Sequence, residues 1–217
     1  IANGNESFHS HSVILATGHS ARDIYELCRN SGIRLEFKSF AMGVRAEHPQ
    51  ELIDRIQYHG KPRGEYLPAA SYNLVKQVYG YGVYSFCMCP GGFIVPSATS
   101  QEEVVVNGMS PSRRNSPYAN SGIVTEIRPS DLSKYARFDE LAGLEFQREL
   151  EKMAWIQGGR TQTAPAQRLT DFISGRESTS LPSVSYFPGV TSSPLHSWFP
   201  DDLASRLREG LRQFGKR

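Results

Sequence analysis

The sequence predicts an α+β protein in which a mostly antiparallel sheet packs against helices. Short strand-like runs separated by glycine and proline turns fill residues 70–127, which is typical of an antiparallel meander. Residues 141–156 and 201–214 carry apolar residues at the three- to four-residue spacing of amphipathic helices. The beginning of the chain differs, because an apolar run at 13–15 precedes a turn of small residues and a helix pattern. We therefore expect a strand–turn–helix unit followed by an α+β domain.

The strand–turn–helix unit covers residues 1–32. Val13 to Leu15 is apolar and partly β-branched, which suits a buried parallel strand. Ser20 is placed to cap a helix that begins at Ala21, and Asn30-Ser-Gly32 would end that helix. The parallel neighbours of such a strand are not evident in the sequence, so we expect it to lie apart from the main sheet or at an edge.

The rest of the chain divides into an α+β domain at 33–156 and a helical extension at 157–217. We expect the sheet to pack against the helix at 141–156, whose charged residues occupy the opposite face. Strands are predicted at 33–47 (one or two), 72–78, 83–88, 93–96, 104–106 and 123–127. Helices are predicted to start at 48–50 and to cover 141–156, 165–173 and 201–214, with coil at 129–140 and 176–197.

Composition excludes several classes of function. The net charge is +2, which is too small to predict nucleic-acid binding from electrostatics, so a nucleic-acid partner is not expected. No apolar run approaches the roughly 18 residues that a membrane-spanning helix needs. Three cysteines do not make a disulfide framework, which favours a cytoplasmic location. Neither a Ser–His–Asp arrangement nor a nucleophile elbow indicates hydrolase chemistry.

Five short motifs carry a resemblance to a known family. They are Ala16-Thr-Gly-His-Ser-Ala-Arg-Asp23, Gly43-Val-Arg-Ala-Glu-His-Pro-Gln50, Tyr84-Ser-Phe-Cys-Met-Cys-Pro-Gly-Gly92, Asn107-Gly-Met-Ser110 and Ala119-Asn-Ser121. The first resembles the strand–Ala-Thr-Gly turn at which the chain of a two-dinucleotide-binding-domain flavoprotein returns beneath FAD. Together the motifs resemble bacterial FAD-dependent, or NAD(FAD)-utilizing, dehydrogenases, closely over residues 12–156 and loosely beyond.

The resemblance implies an FAD-dependent oxidoreductase, with NAD(P)H as a partner and a small substrate that the sequence does not identify. A flavoprotein of this kind would carry G-x-G-x-x-G near its start, and this chain has none. We therefore interpret the chain as a piece of a larger protein. It would carry the substrate or cap domain and lack the amino-terminal half of the FAD-binding domain. The extension at 157–217 could re-enter that domain. Alone, the chain is expected to bind FAD weakly or not at all.

The predicted cofactor-binding residues lie in three turns. Thr17, Gly18, His19 and Ser20 precede a helix whose N–H groups and dipole favour anionic atoms, although an ordinary strand–helix turn has the same pattern. Gly91 and Gly92 follow Pro90 and form a backbone-only surface on which a flat ring could lie. We expect these two turns to face one another across one cleft. Asn107 and Ser110 could line the cofactor or substrate edge, or simply form an Asn-Gly hairpin.

Four residues are candidates for catalysis. Cys87 and Cys89 would point to the same face of a strand, where they could exchange electrons with a flavin, share a soft metal or be ordinary core residues. No second Cys/His pair with zinc spacing accompanies them, so no metal is predicted. His48 could act as a general acid–base and Arg45 could bind a substrate carboxylate, or both could be surface residues at a helix start.

Two other classes of function remain open at this point. A non-catalytic flavin-family protein, for example a redox-sensing or RNA-associated binder, would use basic residues at 113, 114, 134 and 137 as its patch. An interaction domain retained from a flavoprotein ancestor would need no cofactor at all. A yellow colour in the full-length protein would distinguish the enzyme and the flavin binder from the interaction domain. Bleaching of that colour by NAD(P)H would then distinguish the enzyme from the binder.

Overall fold

The computed structural model describes residues 4–216, which divide into two compact units at residues 1–36 and 37–217. The helices are α1 (Arg22–Asn30), α2 (Gln50–Gln57), α3 (Ala142–Gln157), α4 (Leu169–Ser174), α5 (Leu195–Trp198) and α6 (Asp201–Phe214), with a 3₁₀ segment at Pro129–Leu141. The strands are β1 (Phe40–Pro49), β2 (Val75–Val78), β3 (Tyr81–Cys89), β4 (Phe93–Pro96), β5 (Val106–Met109), β6 (Tyr118–Ile127), β7 (Ala164–Ala166) and β8 (Val190–Ser192). No helix in this described part of the chain is both long and apolar enough to cross a membrane.

The first unit contains α1 and extended chain. The predicted strand at Val13–Leu15 is wrong, because these residues pair with no strand and their side chains are 55–90% exposed. A strand is stable only when neighbours complete its hydrogen bonds, and no segment among residues 4–216 does so for Val13–Leu15. Ser20 does not cap α1 either: Ala21 occupies the cap position without a side-chain hydrogen bond. The dinucleotide-binding interpretation of this unit stays a prediction.

The second unit is built on a four-stranded antiparallel sheet with the order β1-β6-β3-β2. The predicted α+β class with a mostly antiparallel sheet is therefore confirmed. The register pairs Val44 with Ile123 and Val83 with Thr125, which places Val44, Ile123 and Val83 on one face of the sheet. Ile123 and Val83 are buried in the main core, and Val44 packs against it. The other face of the sheet carries Arg45 and Asn120.

The helix that covers the apolar face is α6. Leu203, Leu207 and Leu211 repeat every four residues and are buried against all four strands. The predicted packing of the helix at 141–156 is correct only at its beginning, where Phe146 of α3 contacts Phe40 of β1 with ring centroids 6.3 Å apart. Residues near the end of the chain thus complete the core of the central sheet.

Several predicted elements differ from the structure because their partners are distant in sequence. Residues 33–39 form no strand, and only the second half of the predicted 33–47 segment pairs, as β1 with β6. β4 pairs with β5 in a separate hairpin rather than with β3. The start of the predicted 165–173 helix is β7, which pairs parallel with β8 inside the predicted coil at 176–197. The predicted coil at 129–140 is a 3₁₀ segment.

Candidate functional site: a polar cluster around Arg45

Four of the five motifs converge in space in the second unit. β6 pairs with β1 and β3, and its register places Arg45, Cys89 and Asn120 on one face of the sheet. The β4–β5 hairpin brings Asn107 to the same place. Segments that are separate in sequence therefore meet around one side chain, that of Arg45. We call Arg45, Cys87, Cys89, Asn107 and Asn120 the Arg45 cluster.

Hydrogen bonds from the guanidinium hold the Arg45 cluster together. Nη1 of Arg45 donates to Oδ1 of Asn120 at 2.5 Å and to the carbonyl oxygen of Cys87 at 3.3 Å, while Nη2 donates to Oδ1 of Asn107 at 3.2 Å. Every one of these acceptors is neutral. Within residues 4–216 no carboxylate lies within ion-pair distance of Arg45, so its permanent charge is not balanced by the described chain.

The two cysteines lie at a bulge in β3. The register with β6 shifts between Phe86 and Cys89, so that two residues of β3 oppose one of β6. Cys87 occupies the left-handed region at a φ of 43°, which is uncommon for a residue with a side chain. The expectation that Cys87 and Cys89 alternate onto the same strand face is therefore wrong. Cys87 is exposed, whereas Cys89 is half-buried, and its thiol donates to the Cys87 carbonyl oxygen at 3.3 Å.

The β4–β5 hairpin covers part of the Arg45 side chain. Gly108 lies so close to Nη1 of Arg45 and Oδ1 of Asn120 that any Cβ would overlap both atoms. Oδ1 of Asn107 also accepts from the backbone N–H of Gly108 at 2.8 Å, and Ser110 donates to the carbonyl oxygen of Pro90 at 2.9 Å. Asn107 therefore belongs to the polar cluster, and Ser110 fixes the turn that follows β3.

Asn120 is fully buried beneath this hairpin. Its oxygen accepts from Arg45, but its Nδ2 atom has no partner among residues 4–216. A buried amide that lacks one hydrogen bond costs about 1–3 kcal/mol. The cluster thus retains an unfavourable feature that ordinary packing does not explain.

Gly91 and Gly92 are packed against protein rather than open. The N–H of Gly91 donates to Oε1 of buried Gln50 at 2.6 Å, and a Cβ on Gly91, which has a φ of 53°, would overlap the backbone of Arg114. A Cβ on Gly92 would overlap the carbonyl oxygen of Met109. Protein backbone therefore occupies the positions that a Cβ would take on Gly91 and Gly92, and this packing alone accounts for glycine at both positions. Sequence reasoning missed Gln50, which is the buried side chain that holds this turn.

His48 lies on the opposite face of β1 from Arg45, because it is three positions further along the strand and side chains alternate between the faces. Its Nε2 atom is 2.8 Å from the hydroxyl of Tyr72, and its buried Nδ1 atom has no partner in the described chain. Burial lowers the pKa of His48 below its ordinary 6.5 and raises the pKa of Tyr72 to about 12. The sequence-predicted pair of Arg45 and His48 is therefore two separate sites, and Tyr72 was not predicted.

A contact from the carboxyl-terminal part of the chain also reaches β1. Ser185 donates to the carboxylate of Glu47 through both its backbone N–H, at 2.9 Å, and its hydroxyl. The same hydroxyl accepts from the N–H of Ile94 at 2.9 Å. Glu47 is two residues from Arg45 on the same strand face, yet its carboxylate is used to hold the 185 segment. Nothing in the local sequence marks Ser185 for this role.

Comparison with known proteins identifies the family. Residues 39–217 match a family model described as FAD-dependent protein, C-terminal domain-like. The chain belongs to this family. The resemblance to FAD-dependent proteins is thereby confirmed at the level of the family, and the chain is a flavoprotein-associated domain. A protein of Clostridium beijerinckii (strain ATCC 51743 / NCIMB 8052), described as an uncharacterized protein, is 41% identical over 210 residues. The alignment covers 95% of this chain and 39% of that relative, so the chain spans well under half the relative's length.

The two glycine turns that were predicted to bind FAD differ in how well they suit a cofactor. In the first unit, Gly18 has a φ of 81° and open space at its Cβ position, as a turn that approaches a cofactor requires. No described residue accepts a hydrogen bond from the backbone N–H groups of Thr17, Gly18, His19 or Ser20, although the carbonyl oxygen of His19 accepts from the hydroxyl of Tyr25. That turn can present donors to a phosphate or a ring. The Gly91–Gly92 turn suits a cofactor less well, because the N–H of Gly91 already donates to Gln50 and protein backbone lies against both glycines.

No metal centre accompanies the site. Within residues 4–216, no group of three or more His, Cys, Asp or Glu side chains is arranged to hold a metal ion. Cys87 and Cys89 are both free thiols. The chemistry that this part of the chain offers is therefore hydrogen bonding from Arg45 and the two asparagines, an exposed thiol at Cys87 and a neutral His48 near pH 7.

Proposed function

We propose that this chain is the substrate-side part of an FAD-dependent oxidoreductase that uses NAD(P)H. The convergence of four motif segments on Arg45 is the observation that carries the proposal. Family membership adds that domains of this kind occur in FAD-dependent proteins. A guanidinium without a carboxylate partner and a buried amide that lacks a hydrogen bond in the described chain are costly in one place, and such groups concentrate at functional sites.

In this proposal the chain supplies orientation and charge. A bound flavin would accept or deliver the hydride, and the protein would set the environment of its ring. Arg45, held by Asn107 and Asn120, would orient a polar group of the ligand. The Thr17–Ser20 turn would hold part of the cofactor through its N–H groups. Cys87 would stand at the exposed rim of the cluster.

The His48–Tyr72 pair would hold a proton on the other face of β1 from Arg45. Because its pKa is raised to about 12, Tyr72 remains protonated near neutral pH, and because its pKa is lowered, His48 remains neutral. The Tyr72 hydroxyl can therefore donate to Nε2 of His48, which leaves Nδ1 to carry a hydrogen toward another partner. The general acid–base role of His48, with histidine as the titrating group, therefore stays a proposal for a place separate from the Arg45 cluster.

The decisive experiment measures flavin in the full-length protein. Purified full-length protein is expected to absorb at about 450 nm and to be bleached by NADH or NADPH without oxygen. The Arg45→Gln variant should retain the colour but reoxidise more slowly with substrate present, whereas the matched Arg113→Gln variant, on an exposed loop, should behave as the wild type. A colourless protein that stays colourless after incubation with excess FAD would contradict the proposal.

The RNA-associated alternative has less support. Of its predicted basic patch, Lys134 is paired with Glu149 at 2.7 Å, and the guanidinium of Arg137 stacks 4.7 Å from the ring centre of Phe138. A cation that is already paired gains little from a phosphate.

A further inference from the structure

The Arg45 guanidinium is held by only part of its hydrogen-bonding capacity. Its Nη1 atom uses both hydrogens, on Asn120 and on the carbonyl oxygen of Cys87, and Nη2 uses one hydrogen on Asn107. Nε and the second hydrogen of Nη2 have no partner among residues 4–216. Nε is also absent from the buried atoms that lack partners, so it is not sealed from solvent.

The protein therefore immobilises one end of the guanidinium and leaves two N–H groups on Nε and Nη2 open. A planar guanidinium binds a carboxylate through two parallel hydrogen bonds, and this geometry adds specificity as well as energy. Fixing the group in advance removes the entropy cost that a mobile surface arginine would incur on binding. This arrangement is more typical of a binding site than of an arginine that only stabilises the fold, because a purely structural arginine would be more stable beside a carboxylate of the chain itself.

The surroundings favour one negative charge over several. Arg45 is the sole cation in the described hydrogen-bonded cluster, whose other members are two asparagines and two cysteines. The Gly108 backbone lies against Nη1 of Arg45, the end of the guanidinium that Asn120 already holds. A carboxylate carries one charge and is planar like the guanidinium, whereas a phosphate group carries more charge and is tetrahedral. Glu47, the nearest acidic residue along β1, has its carboxylate turned to Ser185 and does not compete.

We infer that Arg45 binds a carboxylate of the substrate, so that the oxidoreductase proposed above acts on an organic acid. The identification of the bound acid as the substrate rests on the proposed function, whereas the carboxylate-binding site itself rests on the geometry of Arg45 alone. Asn107 and Asn120 are positioning residues, because their oxygens orient the guanidinium.

The test observes Arg45 directly in the full-length protein. With ¹⁵N only in arginine, each Nε–H group gives one NMR signal, and the Arg45 signal is identified by its loss in Arg45→Lys. Sodium acetate is the probe, with sodium chloride at equal ionic strength as the control and inorganic phosphate as a third titration. We expect a saturable shift of the Arg45 signal with a dissociation constant on the order of 1–10 mM for acetate. The Arg113 signal, from an exposed arginine, should shift little.

Affinity and flavin content are then measured separately. By calorimetry, Arg45→Lys should weaken acetate binding by about tenfold or more, and Arg113→Lys should not change it. An Arg45 signal that acetate leaves unmoved, or that chloride moves equally, overturns the inference. A larger shift with phosphate overturns the carboxylate assignment in favour of a phosphorylated ligand. Acetate binding in a protein that holds no flavin would contradict the proposed function while leaving the carboxylate site intact.

Discussion

Removing the carboxylate of Asp131 should destabilise the second unit severely. Oδ1 of Asp131 accepts from Nη2 of Arg206 at 2.7 Å and from the hydroxyl of Tyr81 at 3.1 Å, and Oδ2 accepts from the N–H of Arg128 at 2.7 Å. The side chains of Asp131 and Arg206 are only 10% and 7% exposed. This pair joins α6 to the 3₁₀ segment beside the sheet, so its loss acts on the main core.

The magnitude follows from what Asp131→Ala leaves behind. Breaking a buried ion pair by removing one partner costs about 3–5 kcal/mol, because the other charge stays buried. Arg206 keeps two weaker contacts, since its guanidinium lies 3.4 Å from the ring centre of Tyr81 and donates to the carbonyl oxygen of Glu126 at 3.4 Å. We therefore expect the lower end, about 3 kcal/mol, or a fall in Tm of about 6–12 °C for a chain of this size.

The assay is thermal and urea unfolding followed by circular dichroism. Glu51→Ala is the matched control, because its ion pair with Arg55 is exposed and is worth under about 1 kcal/mol. The double variant Asp131→Ala/Arg206→Met should recover part of the loss, since it removes the unpaired buried charge. A Tm for Asp131→Ala within about 2 °C of the wild type would refute the reasoning.

The same residue gives a prediction for acid. Burial favours the neutral form of Asp131, but hydrogen bonds from Arg206 and from the backbone N–H of Arg128 outweigh it and hold the pKa below its ordinary 3.8. A depressed folded pKa means that the stabilisation is complete above the unfolded pKa and is lost as the pH falls through the folded value. Unfolding free energy should therefore fall more steeply below about pH 4 in the wild type than in Asp131→Ala.

Three further changes test other contacts. Gly210→Ala should cost about 1–3 kcal/mol despite the better helix propensity of alanine, because its Cβ would lie 2.5 Å from Cγ1 of Val83, and urea unfolding measures the cost. His48→Gln should reduce the fall in unfolding free energy below about pH 6.5. Because burial lowers the pKa of His48, the unfolded chain takes up this proton at a higher pH than the folded chain, and the wild type loses stability as the pH falls; equal slopes for the two proteins would contradict this. Ser185→Ala should remove the hydroxyl bonds to Glu47 and Ile94 while keeping the backbone N–H bond to Glu47, and so increase proteolysis and hydrogen exchange around residue 185, whereas unchanged protection would argue against the role of the hydroxyl.

Much of the second unit could be predicted from local pattern. The predicted bounds of α6 and β4 agree with the structure, because a four-residue leucine repeat and a strand between turns are properties of neighbouring residues. The residues of the Arg45 cluster were also named from their motifs: Arg45, Cys87, Cys89 and Asn107 individually, and Asn120 within Ala119–Ser121. Apolar patterning thus predicted where helices and strands form, and the polar motifs contained the residues that form the Arg45 cluster.

Which segments meet was decided only by the tertiary structure. Local pattern could not show that α6 rather than α3 covers the sheet, that β4 turns away to pair with β5, or that Val13–Leu15 would find no partner. Such outcomes depend on free-energy differences among contacts distant in sequence. The bulge at Cys87 shifts the alternation of β3. The sequence by itself determined the chemical groups available, and long-range strand pairing decided which of them share a site, because a strand's side chains reach a common face only through its neighbours.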